Sequence, residues 1–157
     1  MIENKSIQIK LATILRKIGN KKCIEKAEIL ENLSSPINTL NLRRLELNSS
    51  DVTAITNCLK QEGGESPHPV NSLSLSYNPQ LGDSGAIALA KNLPESICEI
   101  GLVGCGIGDV GGIELLSCIK RLPNLKMICI EHNNFSEKLR MDFEEFRINN
   151  RGIVVVL

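Results

Sequence analysis

Ile97-Cys-Glu-Ile100-Gly-Leu102-Val-Gly-Cys105 and Leu125-Lys-Met-Ile128-Cys-Ile130-Glu-His-Asn133 are the same phrase written twice, 28 residues apart. Each places apolar residues at its first, fourth and sixth positions and a Cys or Asn at its ninth. Between them a glycine turn, Gly106-Ile-Gly108-Asp-Val-Gly111-Gly, leads into a short helical phrase through Ile113, Leu115 and Leu116. A strand, a turn and a helix that recur at this period form one layer of a stack, because a single such unit cannot bury its own apolar face.

Working outward, the same phrase is found at Val70, Leu73, Leu75 and Asn78, and at Leu42, Leu45, Leu47 and Ser50, with starts 28, 27 and 28 residues apart. Within a strand phrase the fourth and sixth residues point inward and the third, fifth and seventh outward. An Asn at the ninth position can turn inward and bond backbone groups that the turn leaves unpaired. Ser50 serves that purpose less well, which makes the first copy the least regular. The second halves match too. Leu81-Gly-Asp83-x-Gly-Ala-Ile87-x-Leu89-Ala90 follows the character of Ile107-Gly-Asp109-x-Gly-Gly-Ile113-x-Leu115-Leu116, and Asp83 and Asp109 are expected as helix N-caps. In the first copy the helix is expected from near Asp51 past Ile55, Cys58 and Leu59, before the breaker cluster Gly63 to Pro69.

The flanks are helical. Ile7, Leu11, Ile14, Leu15 and Ile18 share one face of a helix, and Asn20 caps a second helix with a stripe of Ile24, Ala27 and Leu30. After the fourth strand phrase, Leu139, Phe143 and Phe146 mark a helix capped near Ser136, and Ile153 to Leu157 reads as a truncated closing strand. This gives one domain: a helical N-terminal cap over 1–36, four repeats over 37–134, and a C-terminal helix and strand over 135–157.

The 157 residues are 42% hydrophobic and 23% charged but only 3% aromatic, so the core is built from Leu, Ile, Val and Ala in thin layers. Net charge is zero, yet residues 1–47 carry nine Lys/Arg against five Glu, and residues 48–119 carry two against eight acids. The acidic middle disfavours nucleic acid as a partner. The six cysteines show no CxxC pair, and the chain lacks a secretory start and any apolar run of bilayer-spanning length. These features point to a soluble, cytoplasmic, monomeric protein in a reducing compartment, with membrane binding disfavoured.

Four copies of L-x-x-L-x-L-x-x-N/C resemble the leucine-rich repeat family, and the Gly-Asp-x-Gly-Ala/Gly helix opening resembles its ribonuclease-inhibitor subtype. The resemblance implies an α/β fold: a right-handed solenoid with a parallel concave sheet and convex helices, binding a protein partner through the concave face. The residues that alternate outward onto that face are Arg44, Glu46, Asn48 and Ser49; Ser72, Ser74, Ser76 and Tyr77; Glu99, Gly101, Val103 and Gly104; and Met127, Cys129, Glu131 and His132. Tyr77, Met127 and Arg44 are the types that most often anchor interfaces.

Three further chemistries have partial signals in the sequence. Gly106-x-Gly108-x-x-Gly111 with Glu131 downstream has the spacing of a dinucleotide-binding fingerprint, in which the glycines admit a pyrophosphate and the acid binds a ribose hydroxyl. Its in-register copy at Asn78 to Ala86 lacks the triple glycine, so the repeat explains it better. Cys129-x-x-His132 lacks the second pair of a metal site and a third group to orient a nucleophile. The basic N-terminal helix, with seven Lys/Arg and two Glu in residues 1–26, suits either a membrane surface or a cap on the first layer. The expected function is therefore a non-catalytic interaction module with no cofactor. A compact adaptor fits its size, as does an effector translocated into a host cell by an intracellular bacterium.

Overall fold

A computed structural model describes residues 2–60 and 68–157, with side chains from residue 7 onward. Two helices, α1 (Ile2–Ile18) and α2 (Lys21–Glu31), precede five short strands: β1 (Thr39–Asn41), β2 (Ser72–Ser74), β3 (Glu99–Gly101), β4 (Met127–Cys129) and β5 (Val154–Val156). Four helices cross over between them: α3 (Ser49–Leu59), α4 (Gly82–Asn92), α5 (Asp109–Ile119) and α6 (Glu137–Asn149). The strands form one parallel sheet in chain order. Consecutive parallel strands joined by a helix on one side take the right-handed crossover, so each unit stacks on the last as a solenoid.

The apolar positions become rungs. Leu40, Leu73, Ile100, Ile128 and Val155 are paired in register across all five strands and are all buried. Leu42, Leu75, Leu102 and Ile130 form a second buried rung just beyond the strands. Each rung repeats at the inter-strand distance of about 4.8 Å, which is why one apolar side chain per strand suffices to fill it. The helix side closes with small residues: a Cβ on Gly112 would lie 2.5 Å from Leu139 Cδ2 and 2.7 Å from Phe135 Cε1, so α5 packs closely over the Phe135 turn.

The first repeat differs from expectation. Thr39, Leu40 and Asn41 pair with Ser72, Leu73 and Ser74, so the phrase runs Ile37, Leu40, Leu42, Leu45, not Leu42, Leu45, Leu47, Ser50. The spacing from Leu40 to Leu73 is 33 residues, against 27 and 28 for the following strands. Both registers satisfy the apolar pattern. The choice is made by Asn78, whose Oδ1 accepts from the backbone N–H groups of Leu45 and Leu47, each at 3.1 Å, and whose Nδ2 donates to the Leu42 and Leu75 carbonyls. Leu45 thereby takes the slot that Asn holds in the second and fourth repeats. Much of the expected breaker loop, 63–67, lies outside the described residues.

At the N-terminus Leu11 and Leu15 are fully buried, and α1 packs on α2 and α3. Asn20 caps α2 by accepting from Cys23 N–H at 2.8 Å. The stripe suited to a lipid surface is thus turned inward, leaving the charged side of α1 to solvent. Among the described residues no helix is long and apolar enough to cross a membrane.

Candidate functional site

The sheet face opposite the helices carries no covering element among the described residues, and alternation along each strand decides what stands on it. Register places Thr39, Asn41 and Arg43 from the first repeat in line with Ser72, Ser74 and Ser76. Glu46 and Asn48, expected on this face, lie further along the chain. Glu46 sits in the turn and pairs with Lys22 at 2.6 Å. Asn48 is the N-cap of α3, accepting from Asp51 N–H while Asp51 accepts from Asn48 N–H, and Ser49 begins that helix. Ser76 is also corrected: it is buried, its Oγ accepting from Val103 N–H at 3.1 Å, and so gives the surface almost nothing. Ser72, Ser74, Glu99, Val103, Met127, Cys129, Glu131 and His132 do line the face, partly or fully exposed.

Along the rim where the strands leave the sheet, one position per repeat adopts a left-handed backbone: Arg44 (φ 56°), Tyr77 (φ 61°), Gly104 (φ 60°) and His132 (φ 58°). The backbone bonds from Arg44 N–H to Ser76, from Tyr77 N–H to Val103 and from Gly104 N–H to Glu131 carry the ladder through this row. The conformation favours Gly, and a bulky residue there is strained. Only the third repeat uses Gly. Tyr77 remains 37% exposed, and the Arg43 and Arg44 guanidinium carbons lie over its ring, 5.2 Å and 4.7 Å from the centroid. Beside the ring is an open groove of about 480 Å³ lined by Lys22, Arg44, Glu46, Leu47, Tyr77, Pro79, Gln80 and Gly104.

The other half of the face is acidic. Ser72 Oγ donates to Glu99 Oε2 at 2.9 Å, and Glu131 Oε2 is buried with no hydrogen-bond partner among the described residues. Burial first, then the Glu131 and Glu99 charges, push the Cys129 thiol up, which keeps it protonated and a poor nucleophile at neutral pH. Among the described residues no group of three or more His, Cys, Asp or Glu is arranged to hold a metal ion.

A family profile described as "Leucine Rich repeat" matches residues 67–90, the stretch that runs from the second strand phrase into α4. A solved structure described as leiomodin-1 actin-binding site 2 superposes with a TM-score of 0.61 at 15% identity, over 76% of this chain and 69% of that one. At that identity the likeness is one of fold alone. No curated protein matches the chain in sequence. The matched stretch holds Leu73, Leu75 and Asn78, whose side chains make the rungs and the inter-repeat bonds described above. Residues 67–90 are a leucine-rich repeat, and the fold as a whole is that of a leucine-rich-repeat solenoid.

The polar side of this solenoid is a set of bonds between successive repeats. Asn133 repeats the part of Asn78, accepting from Cys105 and Ile107 N–H groups and donating to the Leu102 and Ile130 carbonyls. In the third repeat Cys105 fills the slot, its Sγ reaching the Leu75 carbonyl at 3.3 Å and the Val103 carbonyl at 3.6 Å, and burial pushes its thiol up to about 11. Asp83 and Asp109 do not cap their own helices. Asp83 Oδ1 accepts from Gly108 and Gly111 N–H at 2.8 Å and 2.9 Å, the first turn of the next helix, and Asp109 Oδ1 accepts from Ser136 N–H at 2.8 Å. Hydrogen bonding from Ser136 holds the Asp109 carboxyl below the usual carboxylate range.

This arrangement accounts for the glycines of the dinucleotide-like motif. Gly106 has φ +66°, and a Cβ there would lie 2.4 Å from the Pro79 carbonyl oxygen. A Cβ on Gly111 would lie 2.8 Å from Asp83 Oδ1. The amides that a pyrophosphate needs are already bonded to a carboxylate of the preceding repeat, which also repels anions. Sequence reasoning missed Arg43 over the Tyr77 ring, and Lys22 with the groove it lines. The signal for Arg43 was present, since Ile37-x-x-Leu40-x-Leu42 is an equally good phrase and sets Arg43 outward.

Proposed function

We propose that the protein is a non-catalytic recognition module that captures a protein partner across the open face of its sheet, centred on the rim around Tyr77. The observation that carries this reading is Tyr77 itself: an exposed aromatic ring on a left-handed backbone, with two guanidinium groups over it. A bulky side chain kept where glycine is easier points to a task for that side chain. Aromatic and Arg residues are also the usual anchors of interfaces. The Glu131 carboxylate oxygen, which has no partner among the described residues, and the partly exposed Met127 further along the face support contact over several repeats. The solved structure of the same fold is described as an actin-binding site, which supports a protein partner in general and not actin in particular. The Cys side chains are free thiols, which suits an adaptor or effector working in a reducing compartment.

The test is a selection of displayed protein fragments on the immobilised chain, followed by titration of the selected binders against surface variants. Tyr77→Glu with Met127→Glu should remove binding while leaving the melting temperature little changed, and Ile113→Glu on the exposed outer side of α5 should leave binding intact. Binders that tolerate the first pair and are lost with Ile113→Glu would move the site to the helix face.

A further inference from the structure

Resting on the reading that partners dock on the open face, we infer that the groove beside Tyr77 receives an acidic peptide segment carrying an apolar side chain. Arg44 and Lys22 line the groove, Arg43 stands over the same Tyr77 ring, and of the three Lys22 is paired with Glu46. Among the described residues neither arginine makes an ion pair. Two uncompensated positive charges therefore stand at one end of the face. Both guanidinium carbons lie over one ring, 5.2 Å and 4.7 Å from its centroid, and a guanidinium held on a ring in this way still has N–H groups to offer a carboxylate as a fork. Stacking holds both groups in place before any ligand arrives, so less ordering entropy opposes binding.

The floor selects the rest of the ligand. Pro79, Gly104 and the edge of the Tyr77 ring offer an apolar strip beside the cations, and Gly104 keeps it open, since a Cβ there would lie 3.4 Å from Tyr77 Cδ1. A free phosphate would leave that strip uncovered. An extended polyanion, whether nucleic acid or an anionic bilayer, would meet Glu99 and Glu131 on the same face. A peptide can set its acids against Arg43 and Arg44 alone and run on across the acidic strands with other residues.

The experiment is fluorescence anisotropy on the full chain with a short labelled peptide of Glu, Asp and Leu, and with its Gln/Asn/Leu counterpart. The acidic peptide should bind roughly tenfold more tightly at low salt, the scale of two partly exposed charge pairs, and the difference should shrink as salt rises. Arg43→Glu with Arg44→Glu should abolish the preference, and Lys120→Glu, far from the groove, should not. Both arginines are exposed, so an unchanged melting temperature will show that the variant is folded. Equal binding of the two peptides, binding of neither, or retention of the preference in the double variant would overturn the inference. So would competition by inorganic phosphate or phosphatidylserine vesicles that matches or exceeds the peptide. Selected protein binders that still need Tyr77 while the acidic peptide fails would remove this inference and leave the proposed function standing.

Discussion

Asn78 shows how one side chain fixes the stacking of two repeats. It is fully buried, and it satisfies two N–H groups and two carbonyls drawn from both layers. Asn78→Ala would strand these groups at about 1–3 kcal/mol each where water cannot enter. We expect a loss of about 3 kcal/mol or more, measured by urea unfolding. Cys105 occupies the same slot with a weaker set of bonds, so Cys105→Asn should raise stability by about 1 kcal/mol in the same assay. His68 is a different case, a buried imidazole whose Nδ1 accepts from Val70 N–H at 3.2 Å. Burial holds it below its ordinary value of 6.5, so the folded chain takes up fewer protons than the unfolded chain just below that pH. The contribution is complete above about 6.5 and is lost as pH falls toward the depressed folded value. His68→Asn, which keeps an acceptor but no titrating group, should flatten the acid side of the stability profile over that window.

At the scale of elements, the notable contacts join each helix to the next. Asp83 on α4 holds the first turn of α5, and Asp109 on α5 holds Ser136, the cap of α6. Asp83→Ala should cost about 1–2 kcal/mol. Amide exchange should then quicken at Gly108 and Gly111 and not in the first turn of α4, the reverse of what an own-helix cap would give. The sequence revealed that Asp83 and Asp109 are capping residues but not which helix they cap, because spacing along the chain says nothing about the neighbouring layer. The first repeat shows the same limit. Leu42 belongs to both candidate phrases, and the apolar pattern cannot separate them. Bonds from Asn78, which depend on the second layer being present, decide the register and with it the positions of Arg43, Glu46 and Asn48.

For the whole molecule, the fold was legible because it rests on repetition, and the rungs Leu73, Ile100 and Ile128 follow directly from apolar spacing. The face was legible only in part. Alternation sets Ser72 and Ser74 outward, yet Ser76 is covered by its neighbours, and the groove at Tyr77 needs residues from α2 and from three successive turns. Its charge is divided, with Arg43 and Arg44 at the first repeat and Glu99 and Glu131 at the third and fourth, so a partner is expected to bind in one orientation. The most direct measurement replaces Tyr77, and separately Ile113, with the photo-crosslinking residue p-benzoylphenylalanine in cells that naturally express the protein. The account predicts a discrete higher-mass adduct on irradiation from position 77 and none from position 113. An adduct from position 113 with none from 77 would contradict it.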